Sequence, residues 1–234
     1  MPETRRAFHE ELNELSDDVV RLGAMVSEAI QAGTDAFLDA DLTAAERVIA
    51  HDGLVDELMH SVESRTYLLL ARQQPMAVDL RMLVSILRVT HELERAGDNM
   101  VNVVKATRRI YPYELDPKIR GLVHRMRQQA TEQLRLAVTA FAERDPARAA
   151  ALRDMDDVMD DLQKDLFRTI FTLHVSDESS LQRAVQVALV GRYFERIADH
   201  AVNAGERVTF MVTGEFAEEP HRDDEHGGAA SAGR

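Results

Sequence analysis

From Phe8 the chain sets apolar residues at Leu12, Leu15, Val19, Leu22, Val26, Ala29, Gly33 and Phe37, and these alternating steps of three and four mark one face of a long bundle helix. The same period recurs along the rest of the chain. A second helix is predicted from a Thr43-Ala-Ala-Glu46 capping box to about residue 71, a third over 77–109, a fourth over 117–144, a fifth over 146–173 and a sixth over 179–212. Pro75, Pro112, Pro117 and Pro146 fall between these runs, and Pro2 and Pro220 lie near the ends, so proline interrupts no periodic segment. Strict apolar/polar alternation is missing over long windows, and helices of this length belong to bundles. The predicted fold class is all-α, two tandem three-helix bundles.

The two halves are copies. A shift of 104 residues lays Ala36, Phe37, Asp41, Asp52, Asp56 and Leu58 on the identical Ala140, Phe141, Asp145, Asp156, Asp160 and Leu162, while the third helices align at a shift of 101. The connection before the last helix is therefore three residues shorter in the second copy, VSDES against RQQPMAVD. The organisation expected is a first repeat over 5–112, a second over 113–213, and a disordered tail over 214–234 whose composition is polar, small and acidic. His221 and His226 stand in that tail among acids, a stretch read as solvated.

Polar residues break the apolar stripes at matching places. In ELERAGDNMVN (92–102) Glu94 lies between Leu87 and Val101 on one helix face with Asp98 one turn on, and YFERIADHAVN (193–203) repeats this with Glu195 and Asp199. On the preceding helix of each copy Asp52 or Asp156 interrupts the seam, with Asp56 or Asp160 a turn later. Adding Asn102 and Asn203 gives two oxygen-rich clusters, suited to Mg²⁺, Mn²⁺ or iron. Adjacent anions losing hydration must be protonated, paired or metal-bound. Two readings stay open: a metal site, or ion pairing, either in a buried salt-bridge network using Arg95 and Arg196 or in pairs with Arg81 and Arg183. His91 and His200 lack histidine counterparts in the other copy, which weakens a di-iron arrangement.

Composition narrows the rest. Hydrophobic residues make up 45% of the 234, enough for a sizeable core, and the absence of cysteine leaves only carboxylate, imidazole and amide ligands for a metal. With 28 basic against 41 acidic residues the net charge is −13, so no nucleic acid is expected as partner. The start has no apolar signal core and no segment is long and apolar enough to span a bilayer, from which a cytoplasmic location is expected. No nucleophile–base pair, phosphate loop or zinc-protease motif occurs, so the chain is expected not to be an enzyme.

The doubled ERAGDNMVN and ERIADHAVN, with DLR at 79–81 and AFL, Asp41, Asp52 and Asp56 ahead of it, resemble the PhoU family of phosphate-transport regulators over about residues 5–213. The resemblance implies a cytoplasmic, usually dimeric regulator, peripheral to the inner face of the plasma membrane when bound to partners. It implies a negative regulator of phosphate uptake and phosphate-starvation signalling, an adaptor between the ATPase subunit of the phosphate-specific ABC transporter and a sensor histidine kinase. Multinuclear metal clusters of iron, or of Mn, Mg or Zn, bind the motif in some members, and the resemblance carries Glu94, Asp98, Glu195 and Asp199 over as ligands. Two departures are visible. Ala198 replaces the motif glycine kept at Gly97, and the Arg of DLR has only Arg183, one residue out of register, as counterpart. A carboxylate-bridged metalloenzyme, which would want a Glu-x-x-His pair on two helices, and a purely structural coiled-coil scaffold are the alternatives.

Overall fold

The computed structural model describes residues 2–172 and 177–215 and holds six helices there with no strand: α1 (Pro2–Leu38), α2 (Leu42–Gln73), α3 (Val78–Ile110), α4 (Pro117–Glu143), α5 (Pro146–Thr172) and α6 (Glu178–Thr213). Local chemistry explains their ends. Asp41, not Thr43, caps α2, its Oδ1 accepting from the Ala44 backbone N–H at 2.9 Å; Thr43 already lies inside the helix. Asp41 reaches the free donor first because it stands just outside the first turn in extended conformation. Its duplicate Asp145 accepts from Ala147 and Arg148, so this identity between the repeats serves capping. Asp177 and Ser180 form a reciprocal capping box on α6, and Gly214, at φ 81, closes its other end.

Within each repeat the outer helix, α2 or α5, runs antiparallel to the helix that follows it. Glu46 meets Arg108 at 3.2 Å while the open side of Gly97 faces Asp52 and Val55; in the second repeat Gly191 faces Leu166 and Gly205 faces Leu152. Helices α3 and α6 run antiparallel along the whole junction. Arg81 donates to the Met211 carbonyl, Ser85 to the Arg207 carbonyl, His200 meets Glu92, and Gln182 donates to the Arg109 carbonyl. Helices α1 and α4 also meet, through Arg127 with Asp35 and Arg120 with Asp39. The order α2–α3–α6–α5 is thus one layer, with α1 beneath the first pair and α4 beneath the second.

One continuous core threads both repeats. It includes Leu15, Leu22, Ile30 and Phe37 of α1, Ile86, Leu93 and Met100 of α3, and the equivalent Phe141, Val187, Phe194 and Ala201 of the second repeat. Burying a side chain of this size contributes about 1.5–3 kcal/mol. Gly205 lets α6 approach α5 closely: a Cβ there would stand 3.1 Å from the Ala149 carbonyl oxygen and 2.5 Å from Leu152 Cδ1. The tail beyond residue 215, with His221 and His226, and residues 173–176, which include Val175 and Ser176 of the VSDES connection, lie outside the described residues.

Candidate functional site

Helical period alone brings the motif carboxylates together. Glu94 and Asp98 lie one turn apart on α3, Asp52 and Asp56 one turn apart on α2, and the antiparallel register sets the two pairs against each other at the α2–α3 groove. Gly97 sits at the contact, its open side about 4 Å from Asp52 Oδ1. The second repeat assembles Asp156, Asp160, Glu195 and Asp199 at the α5–α6 groove, where Ala198 is fully buried in the place of Gly97. All eight carboxylates are partly or fully withdrawn from water, at the border of the apolar stripe rather than in its middle; Glu195 alone is counted with the buried residues.

The electrostatics follow from that placement. Burial, then the charge of Asp98, with Asp56 and Asp52 behind it, pushes the Glu94 carboxyl up to about 7 against the opposing Arg95. Burial and the neighbours Asp199 and Asp160 push Asp156 up to about 6. Asp52 rises through burial, Asp56 and Asp98; Glu195 rises through burial and Asp199. Asp199 rises through burial although Arg192 and His200 oppose it. Glu94 and Glu195 shift in the same direction, as do Asp52 and Asp156, because the arrangement is repeated.

Nearby cations do not neutralise the clusters. Arg95 reaches Asp98 at 3.4 Å, His91 stands 4.0 Å from Glu94 and Arg192 pairs with Glu195, while Arg196 makes no ion pair among the described residues and acts on Asp199 only at longer range. Arg81 and Arg183 are elsewhere, donating to the carbonyls of Met211 and Glu114 at opposite ends of the α3–α6 junction, so the two perform the same structural task despite their one-residue offset. Four carboxylates against one paired arginine in each cluster is not the composition of a closed salt-bridge network.

The donor set fits a hard cation. In the second cluster Asp156 Oδ1 and Glu195 Oε2 are buried without a well-formed hydrogen bond, and the Gln133 amide lies close enough to Asp156 to oppose the rise of its carboxyl. Carboxylate oxygens deprived of water and of N–H donors are what Mg²⁺, Mn²⁺ or iron would compensate. Asp52, Asp56, Glu94 and Asp98 would hold such an ion in the first repeat, and Asp156, Asp160, Glu195 and Asp199 in the second. Among the described residues no three His, Asp or Glu side chains converge closely enough to hold one ion as they stand, since facing anions repel.

Asn203 turns away from the cluster. Its Nδ2 donates to Glu92 Oε2 at 3.4 Å, because successive steps of four residues advance 40° each and carry position 203 from the groove to the α3–α6 junction. There it joins a pair the sequence reading did not single out, Glu92 and His200, 2.8 Å apart and mostly buried. Burial would raise Glu92, but the hydrogen bond and charge of His200 and the bond from Asn203 carry it below its ordinary value. The signal was present in the sequence as two polar residues near each motif, yet it needed the facing of α3 and α6 to be known. Asn102 stays half-buried on α3.

Comparison with known proteins agrees with this architecture. The PhoU domain matches the chain twice, over residues 19–107 and 123–208. The phosphate-specific transport system accessory protein PhoU homolog 2 of Mycobacterium tuberculosis is 36% identical over 213 residues, which covers 91% of this chain and 99% of that protein. The PhoU homolog of Rhizobium meliloti is 30% identical over 89% of this chain and 88% of its own length. The crystal structure of the phosphate transport system regulatory protein PhoU from Streptococcus pneumoniae superposes with a TM-score of 0.82 at 28% identity, covering 91% of this chain and all of that one.

Proposed function

The chain belongs to the PhoU family of phosphate-transport accessory proteins, and from that premise we propose that it restrains phosphate uptake and phosphate-starvation signalling as an adaptor between the phosphate-specific ABC transporter and its sensor histidine kinase. Its relatives are named as accessory and regulatory proteins, and the chain is a regulator in phosphate homeostasis, not an enzyme. Among the described residues no helix is long and apolar enough to cross a membrane. In this reading contact with the transporter's ATPase subunit and with the kinase takes place at the inner membrane face, reached through those partners. A homodimer is part of the same reading.

The observation that carries the role of the site is its duplication: each repeat builds the same four-carboxylate cluster with raised carboxyl groups in the same groove. Metal at Glu94, Asp98, Glu195 and Asp199, with Asp52, Asp56, Asp156 and Asp160 opposite, would cross-link the outer helix of each repeat to its motif helix and fix the presenting surface. The test replaces the four motif residues by Ala and follows phosphate uptake and kinase output in phosphate-rich medium, with metal content of the purified chain measured in parallel. Loss of repression together with loss of metal is expected. Normal repression by a folded, metal-free variant would remove the clusters from the mechanism.

A further inference from the structure

Beneath each carboxylate groove runs the first helix of its repeat, and the two floors differ. In the first repeat the open side of Gly97 meets Val26 of α1 at 3.7 Å and Asp52 Oδ1 at 3.9 Å, so α1 passes directly under the cluster. In the second, Met126 of α4 lies 4.0 Å from the open side of Gly191, and α4 underlies the α5–α6 groove in the same way. The shift of 104 residues lays Val26 on Ala130 and Ala29 on Gln133. An apolar floor position in one repeat is an amide in the other.

Gln133 is fully buried, and neither end of its amide makes a well-formed hydrogen bond. Buried amides are almost always paired, because an unmade bond leaves the loss of water uncompensated. What Gln133 meets is Asp156. Even a bond from its Nε2 to that carboxylate would leave Oε1, an acceptor, without a donor. Asp156 Oδ1 and Glu195 Oε2 are in the same condition, whereas no side-chain oxygen of Asp52, Asp56, Glu94 or Asp98 is both buried and without a hydrogen bond. Ala29 borders a cavity of about 210 Å³ with Val48 and His51, so the first repeat leaves space where the second sets a polar group.

We infer that Gln133 supplies a neutral amide oxygen to the cation held by Asp156, Asp160, Glu195 and Asp199, so that the second cluster binds a hard divalent cation more tightly than the first and fills before it. Hard cations take amide carbonyls as ligands alongside carboxylates. Oxygens that folding has already stripped of water lose none when the ion arrives, which adds to the preference. The inference rests on the metal reading of the clusters and adds an inequality between two sites of equal carboxylate count. At limiting cation α5 is then pinned to α6 while α2 is not yet pinned to α3.

The experiment takes the full chain, stripped by chelator, through equilibrium dialysis against Mn²⁺ and, under argon, Fe²⁺, with bound metal read by elemental analysis. Asp52→Asn/Glu94→Gln leaves the second cluster alone and Asp156→Asn/Glu195→Gln the first; Gln133→Met, which keeps the volume and removes the amide, is added to each. The second cluster is expected to bind more tightly, and Gln133→Met to weaken it about tenfold while leaving the first unchanged. In the otherwise unsubstituted chain, Gln133→Met should raise the metal-free melting temperature, because an unsatisfied amide becomes an apolar group, and shrink the further rise that metal brings. A residue that only packs would not move the two in opposite directions. Equal affinities in the two single-cluster chains, or a second-cluster affinity that Gln133→Met leaves alone or raises, overturn the inference and leave both clusters standing as metal sites. An unsubstituted chain that takes up neither ion removes the metal reading and this inference together.

Discussion

Glu94 keeps its proton to about pH 7 in the folded chain, whereas an unfolded glutamate releases it near 4.5, so the native state holds more protons across that window. Stability must then fall as pH rises from about 4.5 to 7, and Asp156 adds the same sign between 3.8 and about 6. Chelator-treated protein is expected to melt at progressively lower temperature from pH 5 to pH 8, and Glu94→Gln to flatten the slope; a melting temperature that climbs with pH over this range contradicts the assignment. Which residues bear the unusual charge was legible in the sequence, because two copies broke the same apolar stripe at the same steps. Glu92 and His200 were not, because their pairing depends on which faces of α3 and α6 meet. Asn203 was placed with the cluster by counting steps of four, and the accumulated rotation takes it to the junction instead.

At the level of the helix, lengths and order could be read from period and proline placement, while the detail of the second start could not. Two acceptors compete there, and the one outside the first turn wins. Helix contact makes opposite demands on two glycines that look alike in sequence. Gly205→Ala should destabilise by about 1–3 kcal/mol, because its new methyl meets the Ala149 carbonyl and Leu152. Gly53→Ala, on α2 with nothing within 4 Å of the added atom, should stabilise by up to about 1 kcal/mol through helix propensity alone. Denaturant midpoints of the two variants at equal m-value decide this, and a Gly205 variant as stable as the parent would show that α5 and α6 are less closely packed than described.

For the molecule as a whole, duplication predicts paired behaviour. Titration of the chelated chain with Mn²⁺ or Fe²⁺ should show the same stoichiometry in each repeat, so that Asp156→Asn/Glu195→Gln halves the metal bound and leaves the first cluster loaded; loss of all metal, or of none, would show that the repeats do not bind alike. Fold class and duplication followed from the sequence. The layer order did not, because which helices of one repeat face the other is set by the junction and not by any pattern within a repeat.

That junction has a consequence for the chain's continuity. Helices α1 with α4 and α3 with α6 hold the repeats together, and the connection from Tyr111 to Asp116 packs against them, Tyr113 donating to the Phe37 carbonyl. The molecule is in effect a dimer of its own halves, whose mutual concentration the short tether fixes on the order of millimolar. A chain cut in that connection should remain one particle after the peptide bond is gone, and the two fragments, made separately, should find each other.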